Sequence, residues 1–108
     1  MAPVEPALKC ALQGWLDWLT FEKRCSPHTL SNYMRDATVF LTFLAAHLGY
    51  PPGVRDLANL QAMDFRSWLA RLSADGKSRA TIARRFSTLR TLFKHFERQG
   101  VLSNAAIH

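Results

Sequence analysis

Acidic side chains nearly vanish from the last third of this chain: beyond Lys77 there is only Glu97. Cysteine is almost as scarce. Cys10 and Cys25 fall on, or at the end of, one expected helix, roughly 22 Å apart and too far for a disulfide. Neither belongs to a CxxC pair, so both read as packing or surface thiols in a reducing cytoplasm. His28, His47, His95 and His108 are scattered and make no metal-ligand spacing with one another or with the cysteines, so no metal is expected. No apolar run approaches the ~20 residues of a membrane span. The opening MAPVEPAL lacks a basic stretch followed by an apolar one, so neither a signal peptide nor a membrane partner is expected. There is no glycine-rich phosphate loop and no GxSxG elbow, and the carboxylates are single and dispersed, so neither a cofactor nor catalysis by this chain is expected. Of the two tyrosines, Tyr33 falls on an apolar helix face and reads as core. Tyr50 sits in a turn beside two prolines and reads as a cap over the fold. A nucleophilic role for either would need activating cations, and neither has a cluster nearby in sequence.

What the chain does hold is a concentrated positive charge. Residues 77–100 carry Lys77, Arg79, Arg84, Arg85, Arg90, Lys94 and Arg98, half of the 14 lysines and arginines. Residues 1–76 contain as many acids as bases, so the formal net charge of +6 resides wholly in the last third. That stretch is also amphipathic: Ile82, Phe86, Leu89, Phe93 and Phe96 recur with helical spacing. This face must pack inward, and the cations cannot follow it, because unpaired buried charge is too costly. A pI near 10.0 then implies an anionic partner, nucleic acid before an acidic membrane surface.

At 108 residues and 48% apolar content the chain can bury one modest core. Residues 5 to about 24 read as helix one, with Leu8, Leu12, Trp15 and Leu19 as its stripe and Glu5 in its first turn. Trp18 and Phe21 lie to one side, so the apolar face suits two partner helices; the sharper alternative is an exposed protein-docking aromatic. Ser26-Pro27-His28-Thr29 is a strong helix start: serine caps, and proline occupies a position whose N–H has no partner anyway. Helix two then runs to Leu48 and stops at Gly49. Its expected inner face is Leu30, Tyr33, Met34, Ala37, Phe40, Leu41, Leu44 and Leu48. The opposite arc holds His28, Ser31, Asn32, Arg35 and Thr42, which would otherwise be a plain solvated face. Tyr50-Pro51-Pro52-Gly53 makes a turn. Helix three covers residues 62–73, with Phe65, Trp68, Leu69 and Leu72 inward and no good capping residue before it. Ser78 caps helix four, which ends at Gly100. Residues 101–108 read as the start of a linker, and residues 1–100 as one domain. The fold class is all-α: a four-helix bundle with short connections.

On helix four, Arg79, Arg90, Lys94 and Arg98 group on one flank, Lys77, Arg84 and His95 lie further round, and Arg85 and Thr81 take the other flank. Only part of this arc can face one duplex. The N-terminal half is the better choice, because helix N-termini also attract phosphate. A merely solubilising basic face is the bland alternative. A stand-alone regulator lacks the expected short helix–turn–recognition-helix unit. A helical protein–protein module would use the aromatics of helix one.

The ordered residues resemble a known family. Trp15-Leu16-xx-Leu19 with Glu22-Lys23-Arg24, then Ser26-Pro27-His28-Thr29-Leu30-xx-Tyr33-xx-Asp36 with Phe40 and Phe43, then Asp64-Phe65-Arg66-xx-Leu69, then Ser78-Arg79-Ala80-Thr81-Ile82-Ala83-Arg84 leading to Leu89-Arg90-xx-Phe93, and finally Gly100-Val101-Leu102 and Asn104 are similar to the N-terminal core-binding domain of tyrosine recombinases, the phage-integrase family, of the bacterial XerC/XerD type. The resemblance covers nearly the whole chain. It implies a SAM-like four-helix bundle that clamps one side of a recombination half-site in double-stranded DNA, in a cytoplasmic, nucleoid-associated enzyme of chromosome dimer resolution or integration. Other recombinase subunits would be its partners in a synaptic complex. In the family the second and fourth helices face DNA, which here implies Thr29, Asn32 and Arg35, and Ser78, Arg79, Thr81, Arg84 and Arg85, with Lys77 just before them. Cutting is done in the family by a tyrosine with arginines, lysine and histidine in a separate C-terminal domain, and none of those positions falls in this sequence. Two positions depart from the pattern: Ala105 where a proline commonly follows the asparagine, and Gln61 where a better cap is usual.

Overall fold

The computed structural model describes residues 4–107; residues 1–3 of the opening stretch and His108 at the end of the tail lie outside it. The chain forms α1 (Pro6–Phe21), α2 (Pro27–Leu48), α3 (Val54–Ala58), α4 (Ala62–Ala74), α5 (Arg79–Arg98) and a 3₁₀ turn (Ala105–Ile107). No strand forms among the described residues. The four long helices are those expected, and the bundle is all-α and SAM-like. The five-residue α3 is an addition, fitted between the Pro51-Pro52 turn and α4.

Local chemistry explains each boundary. Ser26 caps α2 and Ser78 caps α5 in the same manner. Each serine Oγ accepts the backbone N–H of a threonine three residues on, Thr29 at 3.2 Å and Thr81 at 3.1 Å. Each also donates to that threonine's hydroxyl at 3.0 Å. Gly49, Gly76 and Gly100 take φ of 85°, 80° and 71° just past α2, α4 and α5, a left-handed geometry that favours glycine. Gln61 is indeed a poor cap by itself. The start of α4 is secured instead from inside, by Asp64, whose carboxylate accepts the Gln61 N–H at 2.7 Å. Asp56 does the same for Gly53 at the start of α3, at 2.8 Å. Helix one is shorter than expected at both ends. Glu5 is its N-cap residue, not part of its first turn, and its backbone N–H is taken by the Pro52 carbonyl. At the other end the chain breaks away through Arg24, which has a φ of 51°.

One core joins all of these elements. Phe65 is at its aromatic centre, with ring centroids 6.3 Å from Phe40, 6.2 Å from Phe86 and 6.1 Å from Phe93. Trp68 meets Phe40 edge-on at 5.0 Å. Burying each such side chain is worth about 1.5–3 kcal/mol. The inner face of α5 is Thr88, Leu89, Leu92, Phe93, His95 and Phe96, while Ile82 and Phe86 are half-buried. Met34, expected inward on α2, is 43% exposed. Asp36 occupies the buried arc of that helix instead.

The tail is not a free segment as far as Ile107. Leu102, Asn104 and Ile107 are buried. Asn104 donates through Nδ2 to the carbonyls of Leu57 at 2.8 Å and Leu60 at 3.1 Å, and its Oδ1 accepts the Ala106 N–H at 2.8 Å. These bonds tie the tail across the loop after α3.

Candidate nucleic-acid interface

The helices that carry the expected DNA-facing residues, α2 and α5, share the most extensive helix–helix contact in the fold. Their N-terminal halves meet at Asp36, which is 2% exposed. Asp36 Oδ2 accepts Arg84 Nη1 at 2.6 Å and the Thr88 hydroxyl at 2.9 Å. Arg85 Nε lies 3.9 Å from Asp36 Oδ1, and both of these buried atoms lack a hydrogen-bond partner. A shift of about 1 Å would bring that pair into hydrogen-bond range.

The expected contact residues therefore differ in what they can offer. Arg35, Lys77 and Arg79 are exposed. Arg84 is divided: one guanidinium nitrogen is held by Asp36, while its side chain remains 44% exposed. The Arg85 side chain is only 11% exposed and faces Asp36. Thr29, Ser78 and Thr81 are occupied in the two serine caps, and Asn32 lies 3.4 Å from the His28 ring. An open groove of about 380 Å³ beside this junction is lined by Val39, Phe43 and Trp68 together with Lys77 and Arg85.

His95 corrects the expected positive arc. It is 5% exposed and its ring lies 5.0 Å from that of Trp18 on α1. Burial, and then the charge of Arg98, push its pKa below the ordinary value. It is thus held neutral rather than added to the basic face. Arg98 lies over the Trp18 ring at 4.9 Å, with Lys23 on the same ring at 5.4 Å. Next to them Phe21 is 72% exposed, on a groove of about 490 Å³ between α1 and the end of α5. Arg90 packs over Phe86 at 4.7 Å. Of the cations in the second half of α5, two therefore rest on aromatic rings.

Tyr33 is half-buried, with its ring 5.8 Å from that of Trp15. Tyr50 is 48% exposed and donates its hydroxyl to Asp56 at 2.6 Å, a bond that raises its pKa. No group of three or more potential metal ligands occurs among the described residues, and no helix among them is long and apolar enough to cross a membrane.

Asp36 and Thr88 are the site residues that reading the sequence for cations passed over. The available signal was an acid within an apolar arc, flanked at helical spacing by Tyr33, Ala37 and Phe40.

Comparison with known proteins agrees with this architecture. The tyrosine recombinase XerC of Rhodospirillum centenum is 44% identical over 103 residues, which is 95% of this chain and 30% of that protein. The XerC of Mesorhizobium japonicum is 38% identical over 105 residues, 97% of this chain and 34% of its own length. That of Brucella suis is 37% identical over 105 residues, 97% of this chain and 33% of its own. The chain thus spans about a third of the length of these curated relatives. No solved structure matches. The family model for the phage integrase N-terminal SAM-like domain matches residues 12–100, and the chain belongs to that family.

Proposed function

We propose that this chain is the DNA-contacting N-terminal domain of a tyrosine site-specific recombinase, and that it clamps one side of a recombination half-site through the N-terminal halves of α2 and α5. The observation that carries this reading is the set of exposed or half-exposed cations, Arg35 on α2, Lys77 just before α5, and Arg79 and Arg84 on α5, carried by or beside the N-terminal halves of two helices joined at Asp36. Similarity to XerC proteins along almost the whole chain supports the recombinase assignment. Phosphate contacts would supply most of the affinity, and the serine and threonine hydroxyls at the two caps are small enough to approach a groove. Strand cutting would lie in residues outside this sequence, and Tyr33 serves packing.

Contact with other recombinase subunits belongs to the same reading. The face that suits it is the groove of α1 and the end of α5, where Phe21 is exposed beside Trp18.

The test is a salt series on a short duplex of arbitrary sequence. Four neutralised phosphates give a slope of log K against log salt of about −4, with micromolar affinity at moderate salt. Arg35→Ala, Lys77→Ala and Arg79→Ala should each flatten the slope by about one unit. Arg98→Ala, which removes a cation from the Trp18 ring, should leave it unchanged. If Arg98→Ala is the damaging change and the other three are silent, the DNA surface has been put at the wrong end of α5.

A further inference from the structure

We propose that Asp36 is a positioning residue for DNA contact: it holds the Arg84 guanidinium in place before a phosphate arrives. This rests on the DNA-binding reading above. Asp36 is almost fully buried, yet the groups facing it come from the other helix: Arg84 Nη1 at 2.6 Å, Thr88 Oγ1 at 2.9 Å and Arg85 Nε at 3.9 Å. The Thr88 hydroxyl also lies 3.2 Å from the Arg84 carbonyl. It has one proton to give, and the nearer, charged acceptor is Asp36.

Stability alone gives a weak reason for this arrangement. A buried ion pair is often no more stabilising than apolar residues of the same volume, because desolvation offsets the attraction. What the carboxylate does provide is a fixed geometry. An arginine side chain on a surface helix is a mobile arm, and ordering it on binding costs affinity. Here one nitrogen is already committed to Asp36, while the half-exposed remainder of the guanidinium retains N–H donors for a second acceptor. Asp36 also offsets the charge of the enclosed Arg85, so the net positive charge of the trio is presented through Arg84.

The proposal makes a prediction of unusual sign. Asp36→Asn raises the net charge by one, and charge alone would tighten DNA binding. Positioning requires the reverse. Asp36→Asn should weaken binding to a short duplex roughly fivefold to tenfold at fixed salt, the scale set by ordering one long side chain. Thr88→Val, which leaves net charge unchanged, should weaken it about twofold to fivefold on the same scale. In an Arg84→Ala background, Asp36→Asn should weaken binding no further. Asp75→Asn is the charge control: it removes an exposed acid paired to Arg71 and should bind as well as or better than wild type. All variants are compared below their measured melting temperatures. Should Asp36→Asn fail to fold, Thr88→Val and its combination with Arg84→Ala decide the matter. Binding by Asp36→Asn or Thr88→Val equal to or tighter than wild type overturns the proposal, as does full weakening that persists without Arg84. If wild type itself does not bind duplex, the DNA-binding reading falls and this proposal with it. If wild type binds and these variants bind alike, only the positioning role is lost.

Discussion

Replacing Asn104 by alanine tests whether the tail is part of the domain. The amide is 6% exposed and reaches back 44 to 47 residues to the carbonyls of Leu57, Ala58 and Leu60. Leu57 O has a second donor, the Leu60 N–H at 3.5 Å. The substitution takes the amide donor from the buried Leu60 carbonyl, for which no other hydrogen bond is seen among the described residues. An orphaned buried polar group costs about 1–3 kcal/mol, to which the freed Ala106 N–H adds up to about 1 kcal/mol. The expected loss is about 2–3 kcal/mol, which lowers the melting temperature of a domain of this size by roughly 10–20 °C. Thermal unfolding followed by circular dichroism measures it. Asn104→Asp should be worse than alanine at neutral pH, because it sets a carboxylate against carbonyl oxygens with no donor between them. A melting temperature for Asn104→Ala within about 2 °C of wild type, on the same scale, would refute the latch.

Two further outcomes concern pH. Because burial and Arg98 depress the folded-state pKa of His95, the unfolded chain takes up its proton first as pH falls. The contribution of neutral His95 is therefore full above about pH 6.5 and declines as pH drops from there toward the folded value. The melting temperature of wild type should fall more steeply between pH 7 and pH 5 than that of His95→Gln, and parallel curves would sink this account. The Asp64 pKa is also depressed, but there the fold favours the charged form. The Gln61 N–H, and then the His47 side chain, hold its carboxyl below the ordinary value. Its contribution is present above about pH 4 and is lost as pH falls through the folded pKa. Asp64→Ala should cost about 1 kcal/mol at pH 7, as for loss of a cap. Chemical denaturation at acid pH should show the gap closing, and a constant gap would assign the effect to packing.

Relations carried over three or four residues were legible in the sequence by itself. Ser26 with Thr29 and Ser78 with Thr81 start two helices, and a hydroxyl can reach a backbone N–H only that far along the chain. The glycines after Leu48 and Arg98 stop them, because other residues resist the left-handed conformation. The apolar spacing within residues 77–100 likewise announced an amphipathic helix, and the net charge of +6 announced its outer face. Which cations on that face are available was decided only by the way the helices cross. Asp36 meets Arg84 and Thr88 across 48 and 52 residues of chain, and no local pattern relates positions so far apart. His95 joins the core because α1 sets Trp18 against it, although on α5 alone it sits beside cations. Asn104 looks like linker by composition. It becomes structure because the loop after α3 leaves carbonyls that its amide can satisfy, and a buried carbonyl must find a donor wherever in the chain one is available.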